Sequence, residues 1–394
     1  MTILIEIILL VIAGILLIPS AFLFIECIAA LFPIPTEVTG ERPSSIAVLV
    51  PAHNESTGIT PTLKSILPQL NPGDRLIAIA DNCTDDTAEI ARQIEGVTVI
   101  ERKNPDLRGK GYAVDFGLKY LESNPPAVVI NVDADCIVEA NTIDRISRLA
   151  WANTRPVQAV YLMDTPPNPT PKDAVSALAL VVKNSVRQVG LARLGLPCLL
   201  TGSGMAFPWE IISTVSFANS KTVDDMQLGL DLAIAGYPPL HCHSAQVTGR
   251  LMEQKFAKSQ RSRWEHGHLE TLLSETPRLL KAAITQKRFD LLAIALELFV
   301  PPLSLFLIFW LAATCSALLA TTLGVSWFPF LILALQGLLI LISVFAAWIK
   351  FGRNHISLWM LLTAPFYILW KVPLYFAFLF KRQSRWTKTE RDAA

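Results

Sequence analysis

The sequence is poor in charge, and what charge it has is nearly balanced. Of 394 residues, 17% are Asp, Glu, Lys or Arg, and the formal net charge is +1. A nucleic-acid binder would carry a basic excess, so no nucleic-acid partner is expected. No C-x-x-C pair occurs among the six cysteines, at 27, 83, 136, 198, 242 and 315. That argues against a disulfide framework or a structural zinc site and fits a reducing compartment. His241-Cys242-His243 holds metal-type residues, but immediate neighbours rarely chelate one ion without further ligands. No Lys or Arg precedes Arg42. A cleaved leader would carry a basic start, so the first apolar stretch reads as a retained anchor.

The apolar residues, 52% of the chain, gather at its two ends. Ile7–Ile25 is uncharged and about the length that crosses a bilayer. Leu298–Ile349 is also uncharged and long enough for two spans, with a break near Gly324–Pro329. Ile356–Trp370 is shorter, Lys371 interrupts it, and Val372–Phe380 completes it. Pro365 and Pro373 make this a poor straight span. Lys381, Arg382, Arg385, Lys388 and Arg391 follow, so a broken or re-entrant segment with both ends cytosolic is expected. Thr271–Arg288 mixes leucines with basic residues and reads as an interfacial helix. The expected domains are a transmembrane anchor and linker at 1–42, a cytosolic catalytic domain at 43–270, an interfacial helix at 271–295, transmembrane helices at 296–380 and a basic tail at 381–394.

In the middle, strand-like and helix-like stretches alternate. Ile46–Val50, Leu76–Ala80, Val97–Ile100 and Val128–Val132 read as strands. Thr60–Leu70, Asp85–Ile94 and Gly111–Leu121 read as helices. Such alternation predicts βαβ units and an α/β fold with a mostly parallel sheet and helices on both faces. Three acidic clusters follow strand ends: Pro51-Ala52-His53-Asn54-Glu55, Asp81-Asn82-Cys83-Thr84-Asp85 and Asp133-Ala134-Asp135. In a parallel sheet they fall along one edge, where ligands bind. In extended chain, residues two apart point to the same side. Asp133 and Asp135 can therefore converge, and a hard cation such as Mg²⁺ or Mn²⁺ would satisfy both. Arg108-Gly109-Lys110-Gly111 adds two cations on a flexible loop, suited to phosphate. A long amphipathic helix is expected over Asp173–Arg193, ending at Gly195, with no chemical role attached.

Together with Lys110, these clusters resemble family-2 glycosyltransferases of the GT-A (Rossmann-like) fold. Three later motifs sharpen the resemblance. Thr201-Gly202-Ser203-Gly204-Met205 resembles the acceptor-side glycine loop. Val223-Asp224-Asp225-Met226-Gln227-Leu228 resembles the T-E-D-x-x-L segment, with Asp224 where Glu is more usual. Gln260-Arg261-Ser262-Arg263-Trp264 matches Q-x-x-R-W, found in membrane-embedded cellulose, hyaluronan and poly-N-acetylglucosamine synthases and in ceramide glucosyltransferases.

The resemblance implies roles. Asp225 is the catalytic base. Pro51, Asn54, Glu55, Asp81, Asn82, Lys110 and Asp133 hold the sugar nucleotide. Asp135, with Asp133, holds Mg²⁺ or Mn²⁺. Gly202, Ser203, Gly204, Asp224, Gln260, Arg263 and Trp264 serve the acceptor or diphosphate. Trp386, Thr389 and Arg391 resemble a W-x-x-T-x-R gating tail. The expected activity is inverting transfer from a UDP-sugar to a growing β-linked polysaccharide. The alternatives are a single addition to a membrane lipid acceptor and a non-catalytic export or sensor subunit. The expected setting is a bacterial inner membrane with the catalytic domain cytosolic. The expected partners are the UDP-sugar, a glycan or glycolipid acceptor, the lipid bilayer, and an export partner or a second copy of the chain.

Overall fold

The computed structural model describes residues 2–33, 40–164, 169–215, 217, 224–250, 254–353 and 356–380, without the side chains of 254–261, 376 and 378–380. The chain divides into two compact units, one of Met1–Pro33, Pro167–Gly195 and His268–Arg382, the other of Ile34–Pro166, Leu196–Gly267 and Gln383–Ala394.

The second unit is built on one sheet. Its strands are β1 (Ile46–Ala52), β2 (Arg75–Asp81), β3 (Val97–Arg102), β4 (Val128–Asn131), β5 (Cys136–Val138), β6 (Val157–Met163), β7 (Met205–Pro208) and β8 (Leu240–Gly249). They lie in the order β3-β2-β1-β4-β7-β6-β8-β5. The four strands β3, β2, β1 and β4 are mutually parallel. β7 runs antiparallel to both β4 and β6, β6 and β8 are parallel, and β5 is antiparallel to β8.

The near-continuous apolar runs of β1 and β2 follow from burial on both faces. Val48 and Val50 pack with Ile59, Leu63 and Ile66 of the Ile59–Ile66 helix. The alternate residues Ala47, Leu49, Ile77 and Ile79 pack with Ala113, Val114 and Leu118 of the Lys110–Leu121 helix. Period-two alternation thus sends neighbouring side chains into two separate cores.

Several boundaries differ from the sequence reading. The helix expected over Asp85–Ile94 spans only Thr87–Arg92. Asp85 Oδ1 instead accepts from the Thr87 amide (3.2 Å) and hydroxyl (2.5 Å), a local side-chain turn that delays helix entry. β6, β7 and β8 were not foreseen. The long helix after Asp173 is three pieces, Pro171–Val181, a π-turn at Val182–Val186, and Arg187–Arg193.

Among the described residues of the first unit, four helical stretches are long and apolar enough to cross a membrane: Thr2–Ala29, Leu303–Thr322, Phe328–Gly352 and Leu358–Tyr375. The last is broken, with helices Leu358–Leu361 and Ala364–Phe380 separated at Leu362–Thr363. Gln336 Nε2 donates to the Ala13 carbonyl (2.8 Å), and Lys350 Nζ donates to that of Ala30 (2.7 Å). These bonds tie the first apolar helix and its end to the third, one near the middle of the third and one in its last turn. A buried ion triad lies in the same unit. Arg187 Nε donates to Glu26 Oε2 at 2.7 Å, and Arg187 Nη2 pairs with Glu297. Gln188 Nε2 donates to Glu297 Oε1 at 3.2 Å. Glu26 is fully buried. The backbone of Glu26 approaches Gly190 so closely that a Cβ there would collide with its carbonyl.

Candidate active site

Because β1, β2 and β4 are parallel, their C-terminal ends share one edge, and the three acidic clusters lie there. The first two clusters interlock. His53 Nδ1 lies 2.7 Å from the Asp81 carbonyl. Asn54 adopts a left-handed conformation (φ 55°), and its Oδ1 accepts from the Thr84 amide at 2.8 Å. The Glu55 amide donates to Thr87 Oγ1 at 2.7 Å, and Glu55 is buried. Pro51 is half-buried within β1. Asp81 is buried, with Oδ1 2.6 Å from Arg102 Nη1 and 3.0 Å from Asn82 Nδ2. Asn82 is also left-handed (φ 52°), and its Oδ1 accepts from the Asn104 amide at 2.7 Å.

The second group gathers around the glycine loop between β6 and β7. Lys110 Nζ pairs with Asp133 and donates to the Gly202 carbonyl at 2.6 Å. Asn131 Nδ2 donates to the same carbonyl at 3.0 Å. The Asp133 amide donates to Ser203 Oγ at 3.0 Å. Gln158 straps the loop from β6: its Nε2 donates to the Ser203 carbonyl and its Oε1 accepts from the Thr201 amide, each at 2.8 Å. Gly202 has φ +104°, and a Cβ on it would stand 2.7 Å from Asp225 Oδ2 and 3.7 Å from Lys110 Nζ. One point of backbone therefore touches both the Asp225 carboxylate and the Lys110 ammonium. Gly58 joins the two groups. The position of a Cβ on it is 3.2 Å from Glu55 Oε2 and 3.9 Å from Asp135 Cα.

The charges in the second group act strongly on one another. Burial and the neighbouring Asp133 push Asp135 up to about 6. Burial and Asp225 push Asp224 up to about 6, against the pull of Lys110. Burial disfavours the Lys110 ammonium, but Asp133, Asp225 and Asp224 outweigh it and raise its pKa. Burial lowers Arg263, while the carboxylates of Asp224, Asp133, Asp135 and Asp225 oppose that shift. Four carboxylates against Lys110 and Arg263 leave two negative charges in excess, the charge of one divalent cation. The carboxylates of Asp133 and Asp135 and the Cys136 thiol offer donor atoms within 4.8 Å of one another. Such an oxygen-rich set can hold a divalent ion. Burial, then Asp135 and Asp133, raise the Cys136 thiol well above its ordinary value.

The structure thus brings together Lys110, Asp133, Asp135, Gly202, Ser203, Gly204, Asp224, Asp225 and Arg263. Asp224 and Asp225 open the Asp224–Ile234 helix. Arg263 and the half-buried Trp264 lie on the Gln254–Gln286 helix. The backbone of Gln260 is on that helix, and its side chain lies outside the described residues, as do Trp386, Thr389 and Arg391. Sequence reasoning missed Asn131, Gln158 and Arg102. Arg102 was legible in principle, since a charge ending an apolar strand beside another acidic strand end is a pairing signal.

A mixed α/β sheet whose parallel half carries a carboxylate pair and a lysine at its edge, beside a glycine loop, is the arrangement of a GT-A glycosyltransferase. Residues 43–267 match Glycosyltransferase like family 2, more than half of the chain, and the protein belongs to that family. In structure the chain is similar to a mannosyltransferase from Pyrobaculum calidifontis in complex with GDP-Man and Mn²⁺. The TM-score is 0.58 at 17% identity, over 96% of this chain and 100% of that one. It is 38% identical over 106 residues to the 4,4'-diaponeurosporenoate glycosyltransferase of Staphylococcus haemolyticus (strain JCSC1435), 26% of each chain. It is 34% identical over 97 residues to "Probable glycosyltransferase YdaM" of Bacillus subtilis (strain 168), 23% of this chain and 22% of that one. The matches span about a quarter of the length of these curated relatives.

Proposed function

We propose that the protein transfers a sugar, with inversion, from a UDP-sugar to a growing β-linked polysaccharide at a membrane. The observation that carries this reading is the meeting of Lys110, Asp133 and Asp225 at the Gly202 backbone, on the strand edge where Asp81 and Glu55 also lie.

Asp81 and Glu55 bind the nucleoside, with Arg102 holding the Asp81 carboxylate in one orientation. Asp135 and Asp133 would hold a divalent cation, Mg²⁺ or Mn²⁺, which would neutralise charge on the leaving diphosphate. Lys110 and Arg263 add fixed positive charge to the same oxygens, Arg263 through its planar fork. Asp225 accepts the proton of the incoming hydroxyl from the face opposite the diphosphate, which inverts the anomeric carbon. Gly202 lets the Asp225 carboxylate come against the loop, and Ser203 and Gly204 hold the acceptor-side wall. Asp224 shapes the field around Asp225. Gln260 and Trp264 complete the acceptor end, the indole stacking on a sugar face. The neighbour that holds GDP-Man by its own description makes the guanosine donor an arm of the test.

One observation favours a second reading, a single addition to a membrane lipid acceptor. A relative is named for 4,4'-diaponeurosporenoate, an acceptor that is one molecule and not a polymer. The proposed setting is a bacterial inner membrane with the catalytic unit cytosolic and, for a polymer, an export partner or second copy; the apolar helices support its membrane part.

The test is nucleotide release by the full chain in detergent with Mn²⁺ or Mg²⁺, across UDP-glucose, UDP-N-acetylglucosamine, UDP-galactose, UDP-glucuronate and GDP-mannose. Turnover with a UDP-sugar that is lost in Asp225→Asn supports the reading. A ladder of labelled products favours the polymer, and a single glycolipid favours the second reading. No nucleotide binding in any arm overturns both.

A further inference from the structure

The carboxylate pair is followed directly by a thiol. Asp133 to Cys136 form a tight turn in which the Cys136 amide donates to the Asp133 carbonyl at 3.1 Å. The turn is clamped from β8: Cys136 pairs with Gly249, and the Arg250 amide donates to the Asp135 carbonyl at 2.9 Å. This geometry brings the Cys136 Sγ back beside both carboxylates, the three donor atoms lying within 4.8 Å of one another. The thiol donates to Asp135 Oδ1 at 3.7 Å. The Cys136 side chain is fully buried, so it cannot turn away to solvent.

Donors of one ion stand about 3–4.6 Å apart, given metal–oxygen and metal–sulfur bonds of roughly 2.0–2.3 Å. The three donor atoms, within 4.8 Å of one another, lie at about that spacing. We propose that Cys136 is a third donor of this centre, making it a mixed oxygen–sulfur site that captures soft divalent cations such as Cd²⁺, Zn²⁺ and Co²⁺. The inference rests on the reading of Asp133 and Asp135 as the cation's ligands.

The chemistry divides by the softness of the ion. Mg²⁺ demands oxygen donors and gains nothing from sulfur. With it the thiol keeps its proton and stays hydrogen-bonded to Asp135, acting only to orient that carboxylate. A soft ion bonds thiolate. As the metal–sulfur bond forms, the S–H bond breaks and its proton leaves to solvent, with no change of oxidation state. The centre then acts as a trap: soft ions displace the hard ion and lock the pair of carboxylates.

The test uses the full chain in detergent, with Cys83→Ser and Cys315→Ser as background because those two thiols are not buried. Co²⁺ titration is expected to raise a sulfur-to-cobalt charge-transfer band, and Cys136→Ser to abolish the band. In competition against Mn²⁺, followed by the spin resonance of the free ion, Cys136→Ser is expected to weaken Cd²⁺ about 30-fold while moving Mn²⁺ less than about threefold. Bound Co²⁺ without the band, or unchanged Cd²⁺ selectivity in Cys136→Ser, overturns the proposal and leaves the carboxylate site standing. If the serine variant fails to fold, a band that survives in Cys242→Ser supports the proposal, and a parent without the band overturns it. Asp135→Asn separates the layers: if it still binds Mn²⁺ as the parent does, the underlying carboxylate reading has failed.

Discussion

Gly202→Ala is the sharpest probe of the site, because the structure supplies its magnitude. Gly202 has φ +104°, a conformation that side-chain-bearing residues rarely adopt. Holding an alanine there costs about 1–3 kcal/mol. The new methyl would also stand 2.7 Å from Asp225 Oδ2. Ordinary carbon–oxygen contact is about 3.4 Å, so the carboxylate must retreat by roughly 0.7 Å or the loop must shift. A displacement near 1 Å at a reacting group can cost about 10²-fold in rate. The expected result is a fall in kcat of about 10–100-fold for nucleotide release, with KM for the donor changed by less than about threefold. Gly236→Ala is the matched control. It also has positive φ (+108°), but nothing lies within 4 Å of where its Cβ would stand. It should lower the melting temperature by a comparable amount while the folded fraction keeps its kcat. A Gly202→Ala enzyme within twofold of wild type in kcat would refute the placement of Asp225 at the reacting hydroxyl.

Three further outcomes are expected. Burial lowers His241 to about 3 from its ordinary 6.5, with His243 adding to the effect. The unfolded chain therefore takes up a proton that the folded chain refuses, and stability falls as pH drops below 6.5 by about 1.4 kcal/mol per unit until roughly pH 3; urea melts at pH 7.5 and 5 should show a shallower loss in His241→Gln. Arg102→Leu removes the partner 2.6 Å from Asp81 and should raise the donor KM about tenfold with kcat nearly unchanged, which steady-state kinetics would read. Arg187→Met strands Glu26 and Glu297 in the interior and should destabilise the helical unit by about 3–5 kcal/mol, seen as a large drop in melting temperature in detergent; an unchanged melting temperature would show the triad to be dispensable.

The parts of the fold that depend on local pattern were legible. β1, β2 and β4 are continuous apolar runs, and the carboxylates after them fall where parallel pairing requires. Asp133 and Asp135 were expected to converge as alternate residues of extended chain; in the structure it is a turn over Asp133–Cys136 that brings their carboxylates together. What was not legible depends on contacts distant in sequence. Gln158 reaches the loop across 43 residues and Asn131 across 71, and nothing local marks either as a strap. β7 is only four residues long and antiparallel, so neither length nor alternation announced it. Glu26 stands just beyond the uncharged Ile7–Ile25 stretch, and nothing local marks it as paired, because its partner Arg187 lies 161 residues away. The helix expected to begin near Thr271 instead runs from Gln254 to Gln286, continuing through both Gly267 and Pro277, residues that would locally argue for a break.

The buried triad sets an order on the making of the chain. Glu26 meets Arg187 across 161 residues, and Arg187 meets Glu297 across a further 110. When the first apolar helix leaves the ribosome, neither partner yet exists. A lone carboxylate at that depth is costly in an apolar medium. The helix must then wait protonated, shallow or chaperoned until residue 297 has been translated. Completion of the triad is thus a checkpoint: a chain truncated before Glu297 keeps every residue of its sheet yet leaves its first helix unable to seat. Pulse-labelled truncations ending on either side of that glutamate should differ sharply in protease resistance of the amino-terminal segment.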